Sequence, residues 1–181
     1  MNTTTALLTL GCGVLASCQT VSRPPIATVA QVDLARFMGD WYVIANIPTF
    51  IEKGAHNAIE SYKLADDGSI ETTFTFRAGS FDGAAKRYTP RGFVLDKTSN
   101  AVWGMQFLWP FKTDFRIVYL ASDYSQTVIG REKRDYVWIM ARTSSIPDAE
   151  YADIVEFLAR QDYDVTQIQQ VPQRWPAREG R

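Results

Sequence analysis

The sequence predicts an all-β domain: an eight-stranded antiparallel up-and-down barrel with one C-terminal α-helix packed on its outside. Three observations carry this. Eight short runs rich in β-branched and aromatic residues follow one another between turn residues, with no long helix between them. The eighth run, 135–143, is apolar on both faces, with Tyr136, Trp138 and Met140 on one and Val137, Ile139 and Ala141 on the other. Both faces need cover. A closed barrel covers one, and the amphipathic segment that follows at once covers the other. Closure also removes the open sheet edge.

Taken in order, the chain opens with an uncharged apolar run, 6–18, too short to span a bilayer and suited to a signal-peptide core. It ends in Leu15-Ala16-Ser17-Cys18, which resembles the lipobox of bacterial lipoproteins. That resemblance implies removal of residues 1–17 and acylation of Cys18, and Gln19 resembles the residue of lipoproteins passed to the outer membrane. Residues 18–32, with Pro24 and Pro25, are expected to be a lipidated tether. Residues 33–171 form the folded domain and 172–181 a disordered tail. The cysteines are Cys12 and Cys18 alone, so the folded part has no disulfide.

The domain starts near Asp33, with a helical turn over 32–39. Strands are expected at 41–47, 57–64, 69–77, 86–96, 101–108, 114–121, 126–130 and 135–143. Their boundaries are Pro48, the hairpin signal Asp66-Asp67-Gly68, Ala78-Gly79, the turn 97–100, Pro110, Ser122-Asp123-Tyr124 and the charged run 131–134, read as a solvated turn. A helix follows, with Ser145 as its cap, an early Pro147 and acids in its first turn. Its apolar face is Tyr151, Ile154, Val155 and Leu158. A last short strand is expected near 164–170.

Composition narrows the function. Net charge is −1 with both signs interspersed and no basic stripe, which argues against nucleic acid. Aromatic content is 13 %, with 5 Trp, 8 Tyr and 10 Phe, the makeup of a dense core or an apolar cavity. His56 is the sole histidine, read as a solvated loop residue, and no Cys/His cluster suits zinc, haem or iron–sulfur. There is no Gly-rich phosphate loop and no Gly-x-Ser-x-Gly elbow. No metal, cofactor or catalytic residue is assigned.

Three motifs carry a family resemblance: Gly39-Asp40-Trp41-Tyr42; the stretch 120–130, containing Asp123-Tyr124; and 134–143, with Arg142 closing the eighth strand. In this order, with the helix after the third, the chain resembles the lipocalins over about 37–170, and among them the bacterial outer-membrane lipocalins. The resemblance implies that Trp41 lies at the closed end of the barrel with Arg142 stacked across its ring. It makes Gly39, Trp41, Asp123 and Arg142 fold residues rather than ligand contacts.

In the family's phase, Ala58, Glu60, Tyr62 and Leu64 point inward, as do Trp103, Met105 and Phe107; Phe115, Ile117 and Tyr119; and Tyr136, Trp138 and Met140. Phe74 and Phe76 join them. A slip of one residue would turn a whole strand over, and plain core packing is the alternative for each ring. Glu60 is the oddity: a carboxylate in an apolar cup, which implies a raised pKa or a basic partner at the rim. Where relatives often have Glu-Ile-Ala-Arg after Trp-Tyr, this chain has Val43-Ile44-Ala45-Asn46, so a head-group contact by those charges does not carry over. The loops 47–57 and 108–114 carry Phe50, Ile51, Trp109 and Phe111 beside Lys53 and Lys112, suited to a membrane-facing entrance or to a lid folded inward.

These features together imply a lipid-anchored envelope protein facing the periplasm from the outer membrane, a monomer or weak homodimer. It would bind and store or transport a fatty acid, lysophospholipid or similar amphiphile. The alternatives are an interaction lipoprotein with a filled barrel and a lipocalin-fold enzyme acting on a lipid-like substrate.

Overall fold

Turn chemistry and alternation build the wall. The computed structural model describes residues 23–176. Its strands are β1 (Gly39–Ile47), β2 (Ala55–Leu64), β3 (Ile70–Ala78), β4 (Ala85–Tyr88), β5 (Arg91–Val94), β6 (Val102–Leu108), β7 (Phe111–Leu120), β8 (Gln126–Gly130), β9 (Val137–Ala141) and the short β10 (Gln169–Gln170). All pair antiparallel with their neighbours, and β1 also pairs with β9, so the sheet closes. The predicted fourth strand is broken at Pro90, which has no N–H for the ladder. Its two pieces, β4 and β5, both pair with β3. The barrel thus keeps its eight staves, and β10 adds an outer rung on β1.

Two cores follow from the two faces. The inner one, inside the barrel, gathers Phe37, Trp41, Val43, Tyr62, Ile70, Trp103, Ile117 and Met140. The outer one lies under α2 (Asp148–Arg160), where Ile154 and Leu158 meet Ala45, Val128, Val137 and Ile139. Asp148 and Glu150 in the first turn and Arg160 in the last suit the helix dipole. The helix begins after Pro147 without a side-chain cap, so Ser145 does not cap it. The helical turn before β1 is α1 (Leu34–Phe37), capped by Asp33, whose Oδ1 accepts from the Arg36 N–H at 3.2 Å.

Four expectations are corrected. Residues 24–32 are not a free tether: Ile26 and Val32 are buried, and the Val29 and Val32 N–H groups donate to the carbonyls of Ile117 and Ser99. Residues 172–176 are not loose either: Gln173 Nε2 donates to the Val43 carbonyl at 2.8 Å, and Trp175 packs edge-on to Tyr42. The charged run 131–134 is no solvated turn, because Arg134 is buried and donates to the carbonyls of Pro24, Glu132 and Gln161. His56 lies in β2 rather than a loop, half-buried with its ring edge-on to Phe81. The signal run and Cys18 lie outside the described residues.

Candidate ligand-binding site

The bottom of the barrel is filled with rings. Phe37 from α1 sits 5.1 Å from Trp41, 5.5 Å from Tyr62 and 5.5 Å from Trp103, centre to centre. Trp103 stacks on Phe115 at 5.0 Å and donates its indole N–H to the Asn100 carbonyl. Below them the Arg142 guanidinium lies 3.7 Å over the Trp41 ring. Asp123 accepts from the Ser125 N–H and hydroxyl, shaping the turn that leaves Tyr124 with φ 64°. The Tyr124 hydroxyl then accepts from the Asp33 N–H, tying α1 over the closed end.

Above the plug the barrel is hollow. A cavity of about 490 Å³ opens there, within the range of ~300–1,000 Å³ usual for small-molecule sites. Of the residues predicted to line it, Glu60, Phe74, Met105, Phe107 and Phe115 do so, with Tyr136 and Trp138 nearer the mouth. Tyr62 and Trp103 belong to the plug instead, realising the core-packing alternative. Phe76 and Met140 are buried in the wall without lining the cavity, Phe76 stacked against Tyr88. Leu64 keeps its phase but lies at the bottom rim beyond the plug, and it is exposed.

Tyr119 is a correction. The β7–β8 register shifts between Ile117 and Tyr119, so that Val118 and Tyr119 both face outward. Tyr119 packs against Phe157 of α2 at 5.9 Å, and Leu120 returns to the inner core. An extra residue in one strand resets the alternation from that point on, which period-two counting does not anticipate.

Glu60 does point inward. It pairs across strands with Trp41 and Phe74, both on the inner face, and cross-strand partners share a face. What exposure it keeps is toward the cavity it lines. Burial pushes its carboxyl up to about 8; the neighbouring Tyr62 hydroxyl opposes this and the Glu52 charge adds to it. At neutral pH Glu60 is thus a neutral acid able to donate a hydrogen bond. The Tyr62 hydroxyl is buried with no well-formed hydrogen bond.

The mouth holds residues that the strand pattern did not mark: Thr49, Glu52, Tyr88, Thr113, Asp114 and Arg131. Loop 48–54 folds partly inward. Glu52 is buried there, accepting from the Thr49 N–H at 2.9 Å, the Thr49 hydroxyl at 2.8 Å and the Trp138 indole N–H at 2.9 Å. Phe50 in the same loop stands in solvent. The expected loop 108–114 is instead a tight hairpin tip, since β7 begins at Phe111 opposite Leu108. Arg131 lies near the Tyr136 ring and pairs with Asp135 at 3.4 Å, while its buried Nε has no partner among the described residues. Asp114 is held by Arg116 at 3.0 Å. The deep cup is therefore greasy and uncharged at pH 7, and the fixed charges ring the entrance.

The fold recurs in known proteins. A family model described as a lipocalin-like domain matches residues 32–173. The chain is 29 % identical over 163 residues to temperature-induced lipocalin-1 of Arabidopsis thaliana, covering 83 % of this chain and 84 % of that one. It is 24 % identical over 147 residues to the outer membrane lipoprotein Blc of Escherichia coli K12, covering 80 % and 82 %. Insecticyanin of the tobacco hornworm Manduca sexta has the same fold, with a TM-score of 0.64 at 17 % identity over 83 % of this chain and 85 % of that one. Barrel, stoppered base and matched span agree, and the chain belongs to the lipocalin family.

Proposed function

We propose that this lipocalin is a lipid-anchored envelope protein that holds one small amphiphile, a fatty acid or lysophospholipid, for storage or transport at the outer membrane. The observation that carries the proposal is the hollow over the plug: about 490 Å³, walled by Phe74, Met105, Phe107 and Phe115, with charge confined to its entrance. An acyl chain in that cup gains about 0.8 kcal/mol per buried methylene. Its polar head stays at the rim beside Thr49, Thr113 and Arg131, whose guanidinium supplies positive charge there. The mechanism is passive burial; no bond need be made or broken.

Anchoring is supported by the Leu15-Ala16-Ser17-Cys18 motif and by the likeness to a protein named as an outer membrane lipoprotein. A lipid-acting enzyme would need a free acid–base pair in the cup. The other acid near Glu60 is Glu52, at the mouth, and both its oxygens already accept hydrogen bonds from Thr49 and Trp138, which favours the carrier.

The test is native mass spectrometry of protein purified without denaturation, followed by organic extraction. The expected result is one co-purifying acyl lipid per chain, reduced by Met105→Trp, which narrows the cup. A bare polypeptide mass that takes up no added fatty acid overturns the proposal.

A further inference from the structure

Among the described residues, most of the large apolar side chains left in solvent crowd one end of the barrel. Phe50, at 84 % exposure, stands on loop 48–54, and Leu108, Trp109 at 81 % and Phe111 form the tip of the β6–β7 hairpin. Phe107 at the same rim reaches into the cavity. A patch of this kind on a small domain marks a contact surface.

Unpaired charge around the patch leans positive. Of the acids at this end, Glu132 is paired with Arg116 and Arg134, Asp135 with Arg131 and Asp82 with Arg174, while Asp162 and Asp164, exposed just past α2, make no ion pair among the described residues. Lys53, Lys86, Lys112 and Lys133 are exposed and have no acidic partner among the described residues. These lysines outnumber the two unpaired acids, and Lys112 lies with its Nζ 3.9 Å over the Phe93 ring. Rings with snorkelling lysines suit the interface of an anionic bilayer.

The path of the chain points the same way. The Pro24 carbonyl is held by Arg134 in the β8–β9 turn, at the open end. Cys18 precedes Arg23 by five residues, which span at most about 18 Å when fully extended. An anchor there leaves the open end nearest the membrane.

We propose that the mouth of the barrel docks on the anionic leaflet that carries the anchor, with Phe50, Leu108, Trp109 and Phe111 in the interface, so that the cavity opens directly onto acyl chains. The chain-path support rests on the Cys18 anchor of the proposed function; the patch and its charge stand without it.

The test uses full-length protein in vesicles of phosphatidylethanolamine and phosphatidylglycerol, carrying an environment-sensitive fluorophore at Trp109→Cys or, at the closed end, Asp66→Cys. Brominated phospholipids should quench the probe at 109 severalfold more than at 66. Lys53→Glu, Lys112→Glu and Lys133→Glu together should reduce that quenching. Equal quenching at both sites, or a probe at 109 shielded by chain–chain cross-linking without vesicles, overturns the proposal, the second outcome making the patch a face for another copy. Cys18→Ala is scored separately by retention through an alkaline wash. Unchanged retention sinks the anchor, while quenching at 109 still decides the docking.

Discussion

The Arg142 guanidinium and the Trp41 indole share one acceptor: the Phe37 carbonyl takes the indole N–H at 2.9 Å and Arg142 Nη2 at 3.0 Å. Arg142 also donates to the carbonyls of Arg36, Met38 and Asp40. Arg142→Ala strips donors from four carbonyls and removes the cation–π contact, a loss of about 3 kcal/mol once partial rehydration is allowed for. Arg142→Lys should regain less than half, because an ammonium cannot lie flat on the ring while reaching all four. A melting curve unmoved by either substitution would refute the stopper.

Gly39 sits directly above that guanidinium with φ 94°, and a Cβ there would come within 3.4 Å of Arg142 Nη1. Gly39→Ala therefore costs backbone strain, while its methyl would only touch the guanidinium. Urea denaturation should show a loss of about 1–2 kcal/mol.

Glu60 gives the fold a pH signature. Its folded pKa is raised to about 8 from an ordinary 4.5. Below both values the group is protonated in both states and contributes nothing. Between them the unfolded chain releases a proton that the folded chain keeps, so stability falls as pH rises through this window and levels off above about 8. Glu60→Gln should flatten that decline in a series of thermal melts. The same substitution should remove the drop in affinity for an apolar probe that accompanies charging of the cup above about 8.

Tyr119 and Met105 separate fold from site. Tyr119→Ala loosens the contact with Phe157 under the helix and should cost about 2 kcal/mol, with fatty-acid affinity unchanged. Met105→Trp should do the reverse, leaving unfolding within about 1.5 kcal/mol while weakening binding at least tenfold in a fluorescent fatty-acid titration.

The barrel was legible because its signal is repeated: alternation recurs in every stave, and the Trp41–Arg142 pair joins the first to the last. What lay hidden depends on tertiary context. Ile117-Val118-Tyr119-Leu120 is an unbroken run of strand formers, so nothing local marks the bulge that turns Tyr119 outward. Alternation also says which face a ring takes but not its height along the axis, and height is what assigns Trp103 to the plug and Met105 to the cavity. Arg131 and Arg134 sit in a charged run that looks solvated. The burial of Arg134 comes from partners as distant in sequence as Pro24 and Gln161. Pro90 was visible, and its missing N–H was sufficient reason to divide the fourth strand.

Arg134 ties the N-terminal strap, the far end of the helix and the β8–β9 turn through one guanidinium. Tension drawn through the chain ahead of Pro24 is therefore taken up at the rim, before it reaches Trp41 at the opposite pole. The hold on the strap at the rim and the Trp41–Arg142 stopper are mechanically separate, so a tug on one need not loosen the other.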